Sequence, residues 1–208
     1  MYAIITDGSI SGYINHPKQI TIWDVQYTAK IFSIWTASEL AAIGIIEVTF
    51  DNSNKKDEQW YINTNQTYTY DASAGTVTAT YGTATAKAHA DTTWTQQDSD
   101  DGDLPSDKSV GDVKTRGLKY NLIQTLKQQV ANELAKTDWY ITRNTEKSTA
   151  IPSAISTHRD AVRTKQAEME TAITNASDTP ALETLYTYTK QEDGSVTRPL
   201  GELPTLES

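Results

Sequence analysis

The apolar residues of this chain change period part-way along it, and no other feature constrains the fold as much. Up to about residue 81 they alternate with polar residues or cluster in short β-branched runs. From residue 113 onward they recur at helical spacing. Period two puts side chains on the two faces of a strand, whereas a period near 3.6 puts them along one stripe of a helix. The spacing therefore predicts an α+β protein, an N-terminal antiparallel β-rich module followed by an α-helical hairpin module. No regular strand–helix–strand alternation occurs, which argues against a doubly wound parallel sheet.

Within the β-rich half, segments 2–5 and 10–14 flank Asp7-Gly8, a dipeptide suited to the left-handed positions of a hairpin turn. Pro17 breaks the run, and 19–23 and 25–32 read as a second pair turning near Asp24. Thr36-Ala37-Ser38-Glu39 is a capping box that opens a short helix over 37–43, with Gly44 as its stop. Segment 45–50 is apolar enough for a buried strand, and 60–63, 66–71 and 76–81 form a meander. Val77, Ala79 and Tyr81 share one face of it, and Thr76, Thr78 and Thr80 the other. Threonine, with 32 copies, suits such a wet sheet face. That face is plain solvated sheet or a docking surface, and the meander's edges are open to a partner's strand.

In the second half Leu118, Leu122, Leu126, Val130 and Leu134 mark a helix over 117–135. Pro152 opens another over 153–175, whose Ile155, Val162, Met169 and Ile173 suit a helix-on-helix seam. Segment 140–143 reads as a short extended piece, and Thr179-Pro180 opens a third, shorter helix. Four stretches result: a β-rich module (1–95), an acidic linker (96–112) with six aspartates and one lysine, a helical module (113–190) and an extended C-terminal tail (191–208). Leu200, Leu203 and Leu206 lie among the prolines of that tail, as in a peptide able to occupy a neighbour's groove. On this reading, removing 198–208 leaves melting nearly unchanged.

Composition excludes several chemistries. With no cysteine there is no disulfide framework, thiolate zinc site or cysteine nucleophile. A net charge of −9 opposes non-specific nucleic-acid or anionic-membrane binding, and no segment has the apolar length of a membrane span. The N-terminus lacks the basic start of a signal peptide. His16, His89 and His158 stand in separate segments without ligand spacing. Gly8-Ser9-Ile10-Ser11-Gly12 has Ile where a nucleophile elbow needs Ser. The strongest metal candidate, Asp98-Ser99-Asp100-Asp101-Gly102-Asp103, fails the calcium-loop pattern, because Ser109 stands where the twelfth-position Glu belongs. The expectation is a protein with no enzymatic activity and no cofactor.

Trp139 is the most informative single residue, bracketed by Asp138 and Arg143, with Arg159 and Arg163 along the next helix. In an antiparallel hairpin an arginine stacks on the indole or pairs with Asp138, or else Trp139 only plugs the hairpin base. Thr137-Asp138-Trp139, Arg143, Ile151-Pro152, Arg159 and Val162-Arg163 resemble the helical C-terminal region of tail-assembly chaperone and tail-fibre-assembly proteins of tailed bacteriophages. The opening Tyr2-Ala3-Ile4-Ile5, Asp7-Gly8 and Ser11-Gly12-Tyr13-Ile14, with Trp35, Glu39-Leu40, Gly44-Ile45 and Val48, resembles an N-terminal module found among phage tail proteins. The resemblance implies a non-enzymatic virion component, made in the bacterial cytoplasm, in an oligomeric assembly with other phage tail proteins. An assembly chaperone is the alternative. A receptor module for host-surface glycan is the third, with Trp60, Tyr61, Tyr68, Tyr70 and Tyr81 presenting ring faces to sugar. Trp60, Tyr68, Trp139, Arg159, Arg163 and the three tail leucines are the candidate contact residues.

Overall fold

The computed structural model describes residues 1–206, and the chain divides into two compact units at Thr85/Ala86. Strands β6 (Tyr61–Ile62) and β9 (Thr85–Ala86) are each only two residues long, and the second spans the division.

The first unit is built on a five-stranded sheet. Its strands are β1 (Tyr2–Thr6), β2 (Ser9–Ile14), β5 (Ile45–Asp51), β7 (Gln66–Asp71) and β8 (Thr76–Tyr81), in the order β2-β1-β5-β8-β7. Asp7 and Gly8 both take positive φ, as the dipeptide requires of a tight hairpin turn. A second hairpin pairs β3 (Ile20–Ile22) with β4 (Val25–Tyr27). Its two-residue turn, Trp23-Asp24, has φ of 48° and 64°. Left-handed backbone at a bulky tryptophan is uncommon, and this side chain is left 64% exposed.

The sheet is mixed rather than antiparallel throughout. β1–β2, β1–β5 and β7–β8 are antiparallel, but β5 and β8 run parallel, with Val48 opposite Val77. Burial accounts for the departure. Val77 and Ala79 are fully buried, so β8 occupies the inner position beside β5, and the Thr/Tyr strand β7 is displaced to the edge. Alternation assigns faces to a strand but does not choose its neighbours.

The faces are covered differently. Helices α1 (Ile31–Ile34) and α2 (Ala37–Ala42), with the β3–β4 hairpin, bury Ile14, Ile20, Ile22, Ile31, Leu40 and Ile45 on one side. The α2 capping box is complete: Glu39 N–H donates to Thr36 Oγ1 at 3.3 Å, and Thr36 N–H donates to Glu39 Oε2 at 2.7 Å. Gly44 follows at φ 78°, and a Cβ there would stand 2.6 Å from the Ile5 carbonyl oxygen. Ala3, Val48, Val77 and Ala79 form the second cluster, with Tyr68 and Tyr70 packed beside them. Tyr13 of β2 and Tyr68 of β7 have ring centroids 4.7 Å apart. A flat sheet would hold these outer strands four spacings, or about 19 Å, apart, so the sheet is curled until its edges approach. The edge expected to be open for strand addition is thereby narrowed. Thr49, Thr67, Thr69 and Thr76 stay exposed on the other face.

In the second unit, strands β10 (Thr92–Thr93) and β11 (Val113–Thr115) pair and close an excursion that contains the acidic stretch. The excursion belongs to this unit and is not a linker between units. Helix α3 (Gln96–Asp100) inside it has its own capping box, Thr95 with Asp98, and the Trp94 N–H donates to Asp112 O at 2.9 Å. Lys114 pairs with Asp98 and lies 4.4 Å over the Trp94 ring. The bonds from Lys114 and then Thr95 hold the Asp98 carboxyl far below its ordinary value. A group with a lowered folded pKa contributes stability above its unfolded value, and that contribution is lost as pH falls through the folded one. Hydrogen exchange of residues 95–115 is therefore expected to accelerate as pH drops below about 4, after correction for intrinsic rates, and Asp98→Asn should abolish the change. Equal protection at pH 7 and pH 3 would disprove it.

Helices α4 (Leu118–Ala135) and α6 (Ser153–Asn175) form the expected hairpin. Lys119 Nζ donates to Thr174 O at one end, and Arg159 Nη1 donates to Leu134 O at the other, so the two run antiparallel. Leu126 and Val130 are buried, as are Val162, Met169 and Ile173. Gly117 begins α4 where a Cβ would stand 2.3 Å from the Ala90 backbone. Segment 140–143 is not extended but lies within α5 (Asp138–Lys147). Asp138 in its first turn complements the helix dipole, and Arg143 reaches back one turn to Trp139, which outweighs the β-branched Ile141-Thr142.

Helix α7 (Thr179–Tyr186) is capped by Asp178, which accepts from Ala181 N–H at 2.8 Å. The last stretch is folded back rather than extended. Strands β12 (Thr189–Lys190) and β13 (Val196–Thr197) pair, Leu200 N–H donates to Leu185 O at 3.0 Å, and Leu200 is 3% exposed. Arg198 lies 5.3 and 5.2 Å from the rings of Tyr186 and Tyr188 and donates to Glu202 at 2.9 Å. Through Glu202 the tail is bonded to its own unit, Thr205 and Leu206 are exposed, and positions 207 and 208 lie outside the described residues.

Candidate partner-binding site

The turn between α4 and α5 places Thr137, Asp138, Trp139 and Tyr140 over the start of α6. Arg159 is the bolt beneath it. Its Nη1 donates to Thr137 Oγ1 at 2.7 Å, Leu134 O at 2.8 Å and Asp138 Oδ1 at 2.9 Å. One nitrogen carries two hydrogens, so these three acceptors share them. Arg159 is 8% exposed and Thr137 is buried, whereas the Asp138 carboxylate remains largely in water.

Above that base, one side chain stacks on another. The Trp139 and Tyr140 rings have centroids 4.0 Å apart. The Arg143 guanidinium lies 4.6 Å from the first and 5.5 Å from the second. Arg143 Nε is buried without a hydrogen-bond partner, so contact with the rings holds this group in place. Trp139 is nonetheless 51% exposed, and Ile141 beside it is also exposed. The indole presents a surface rather than plugging the hairpin base.

The hairpin thus uses both arginine roles expected at this turn, but divides them: Arg143 stacks on the indole and Arg159 pairs with Asp138. Arg159 is a support with no surface to offer a partner. Arg163 takes no part, since it pairs with Asp160 at 3.3 Å, one turn away on the same exposed face. Tyr140 escaped sequence reasoning because neighbours in a helix point different ways, and only the Trp139–Arg143 spacing hinted at a stack.

His158 and Glu133 form a second pair at this end of the hairpin, with Nε2 and Oε1 3.3 Å apart and both largely buried. The Lys136 ammonium, and then His158, hold the Glu133 carboxyl below its ordinary value. No sequence spacing shows this pair, because its members meet only across the antiparallel hairpin.

The remaining candidates are placed elsewhere. Trp60 is 3% exposed, Tyr61 is buried, Tyr68 and Tyr70 pack against the sheet's inner cluster, and Lys55 Nζ lies 5.9 Å over the half-buried Tyr81 ring, so these five rings form no open row for a sugar. Leu200 is buried and Leu203 half-buried, and Leu206 borders a shallow recess with Ser153, Ala154 and His158. In the acidic stretch, Asp98, Asp100 and Asp101 each accept from a nearby side chain or backbone N–H. Among the described residues no group of three or more His, Asp or Glu is placed to hold a metal ion. Among them, too, no helix is long and apolar enough to cross a membrane. Comparison with known protein families, curated proteins and solved structures finds no match for this chain.

Proposed function

We propose that this protein is a non-enzymatic component of a tailed-bacteriophage tail and acts by contacts with other tail proteins. The observation that carries the reading is the Trp139–Tyr140–Arg143 stack, half-exposed on a base locked by buried Arg159. Tryptophan, tyrosine and arginine are the residue types enriched at binding hot spots, and a rigid base lowers the freedom lost on docking. The stack lies within the Thr137-Asp138-Trp139 motif on which the resemblance to phage tail-assembly proteins rests.

One observation favours a second reading, an assembly chaperone that binds a tail or fibre protein and then leaves. The acidic excursion and residues 189–202 are held by bonds within their own unit. Their order needs no neighbouring chain, as expected of a protein that also exists free.

Trp139→Ala is expected to cost about 1–2 kcal/mol, the loss of the ring–ring and ring–guanidinium contacts, and to leave the unit folded. Capture of the tail-protein partner from phage-infected cells should fall about tenfold or more. Full capture by the variant would remove the stack from the interface. Quantitative mass spectrometry of purified particles separates the two readings: stoichiometric presence supports a tail component, and absence from mature particles supports the chaperone.

A further inference from the structure

The first unit holds a half-enclosed recess of about 210 Å³ at the rim of the cluster around Leu40 and Ile45. Tyr2, Phe32, Trp35, Leu40, Ile45 and Glu47 are among the residues that line it. The Tyr2 and Phe32 rings lie 4.9 Å apart at 45°, and the Tyr27 ring meets Trp35 edge-on at 5.7 Å. Those contacts fix the orientation of the aromatic walls. Glu47 lies directly opposite Tyr2 in the β1–β5 register, so its carboxylate rises from the same sheet face as the tyrosine ring.

Charge is left uncompensated here. Several other rings carry one of the chain's own cations: Lys114 lies 4.4 Å from Trp94, Arg116 lies 4.1 Å from Tyr120, and Arg143 covers Trp139. Among the described residues no Lys or Arg lies over Tyr2, Phe32 or Trp35, and none pairs with Glu47. Three π-electron-rich rings line the recess and a carboxylate stands beside them. An anion would be repelled, and a neutral apolar group would bury the carboxylate's flank without pairing it. An organic cation satisfies rings and carboxylate together. The recess is below the roughly 300–1,000 Å³ of a drug-sized site, which matches a side-chain end or a small head group.

We infer that the Tyr2–Phe32–Trp35–Glu47 recess binds an alkylammonium group. Its chemistry is shared by a free quaternary ammonium compound and by a lysine-type side chain on a protein partner. This inference does not depend on the Trp139 surface, which belongs to the other unit.

The test is heteronuclear NMR of the full chain, following the Trp35 indole N–H and the Tyr2 and Glu47 amides. Choline, an acetylated trimethyllysine amide and 3,3-dimethylbutanol, the neutral isostere of choline, are titrated separately. Saturable shifts confined to the recess are expected for both cations, with the isostere at least about tenfold weaker. Glu47→Gln, at an exposed position, should keep the folded spectrum and weaken choline about fivefold or more. Trp35→Phe, which keeps an aromatic wall, should weaken it less than complete loss. Whichever cation binds tighter, the site stands, and the ranking tells a free compound from a protein side chain. No saturable shift up to about 50 mM choline, equal binding of the isostere, or indifference to Glu47→Gln would each overturn the inference.

Discussion

Replacing Arg159 with alanine is expected to lower the unfolding free energy of the second unit by about 3 kcal/mol, read as loss of helical signal in urea. The ion pair with Asp138 supplies little of this, because that carboxylate is 60% exposed and water screens the pair. The larger share comes from what the guanidinium satisfies inside. Thr137, 1% exposed, loses the donor to its Oγ1 at 2.7 Å, and Leu134 O keeps only the local bonds from Lys136 and Thr137. The space vacated by a long, buried side chain adds a packing loss. Two controls separate these causes. Asp138→Asn should cost less than about 1 kcal/mol, as an exposed pair does. Arg159→Lys should fall between the two variants, since a single ammonium keeps the charge but not the fork. Because α5 would lose its anchor, Arg159→Ala should also weaken partner capture, although Arg159 itself is buried. A loss below about 1 kcal/mol for Arg159→Ala would show that the turn holds without its bolt.

Leu200→Ala is expected to cost the same unit about 2–4 kcal/mol, the range for truncating a buried leucine. Its side chain is 3% exposed and its N–H bonds to Leu185 O, beside α7. Ending the chain after Thr197 should cost at least as much. It removes Leu200 and also Arg198, whose guanidinium lies against Tyr186 and Tyr188 while donating to Glu202. Melting of the truncated chain within a degree or so of the full-length protein would show that residues 198–206 add no stability. That unchanged melting is the outcome the leucine and proline spacing predicts for a solvated peptide, and the burial of Leu200 reverses it.

Much of the local architecture was legible. Asp7-Gly8, Thr36 with Glu39, Gly44 and the Leu118-to-Leu134 stripe all occur as read, because a turn, a cap or an amphipathic helix is specified by residues a few positions apart. Segment 140–143 misled, since β-branched residues at 141 and 142 favour strand while the helix-supporting contact lies between Trp139 and Arg143. The acidic stretch misled for a related reason. Its composition is that of a solvated linker, yet Asp98 has a lysine sixteen residues away to pair with. The candidate site was legible only as a set of residue types, and which arginine would stack and which would be buried was not.

The change from period two to helical spacing, the α+β class that follows from it, the caps and turns, and the lack of cysteine are readable along the chain. All of these depend on covalent neighbours or on composition. Packing selects the parallel pairing of β5 with β8, the approach of Tyr13 to Tyr68, the burial of Arg159 under an exposed Trp139 and the return of Leu200 to its own unit. Each of these is a choice among partners distant in sequence, and it is settled by how much apolar surface and how many buried polar groups the whole arrangement can satisfy at once.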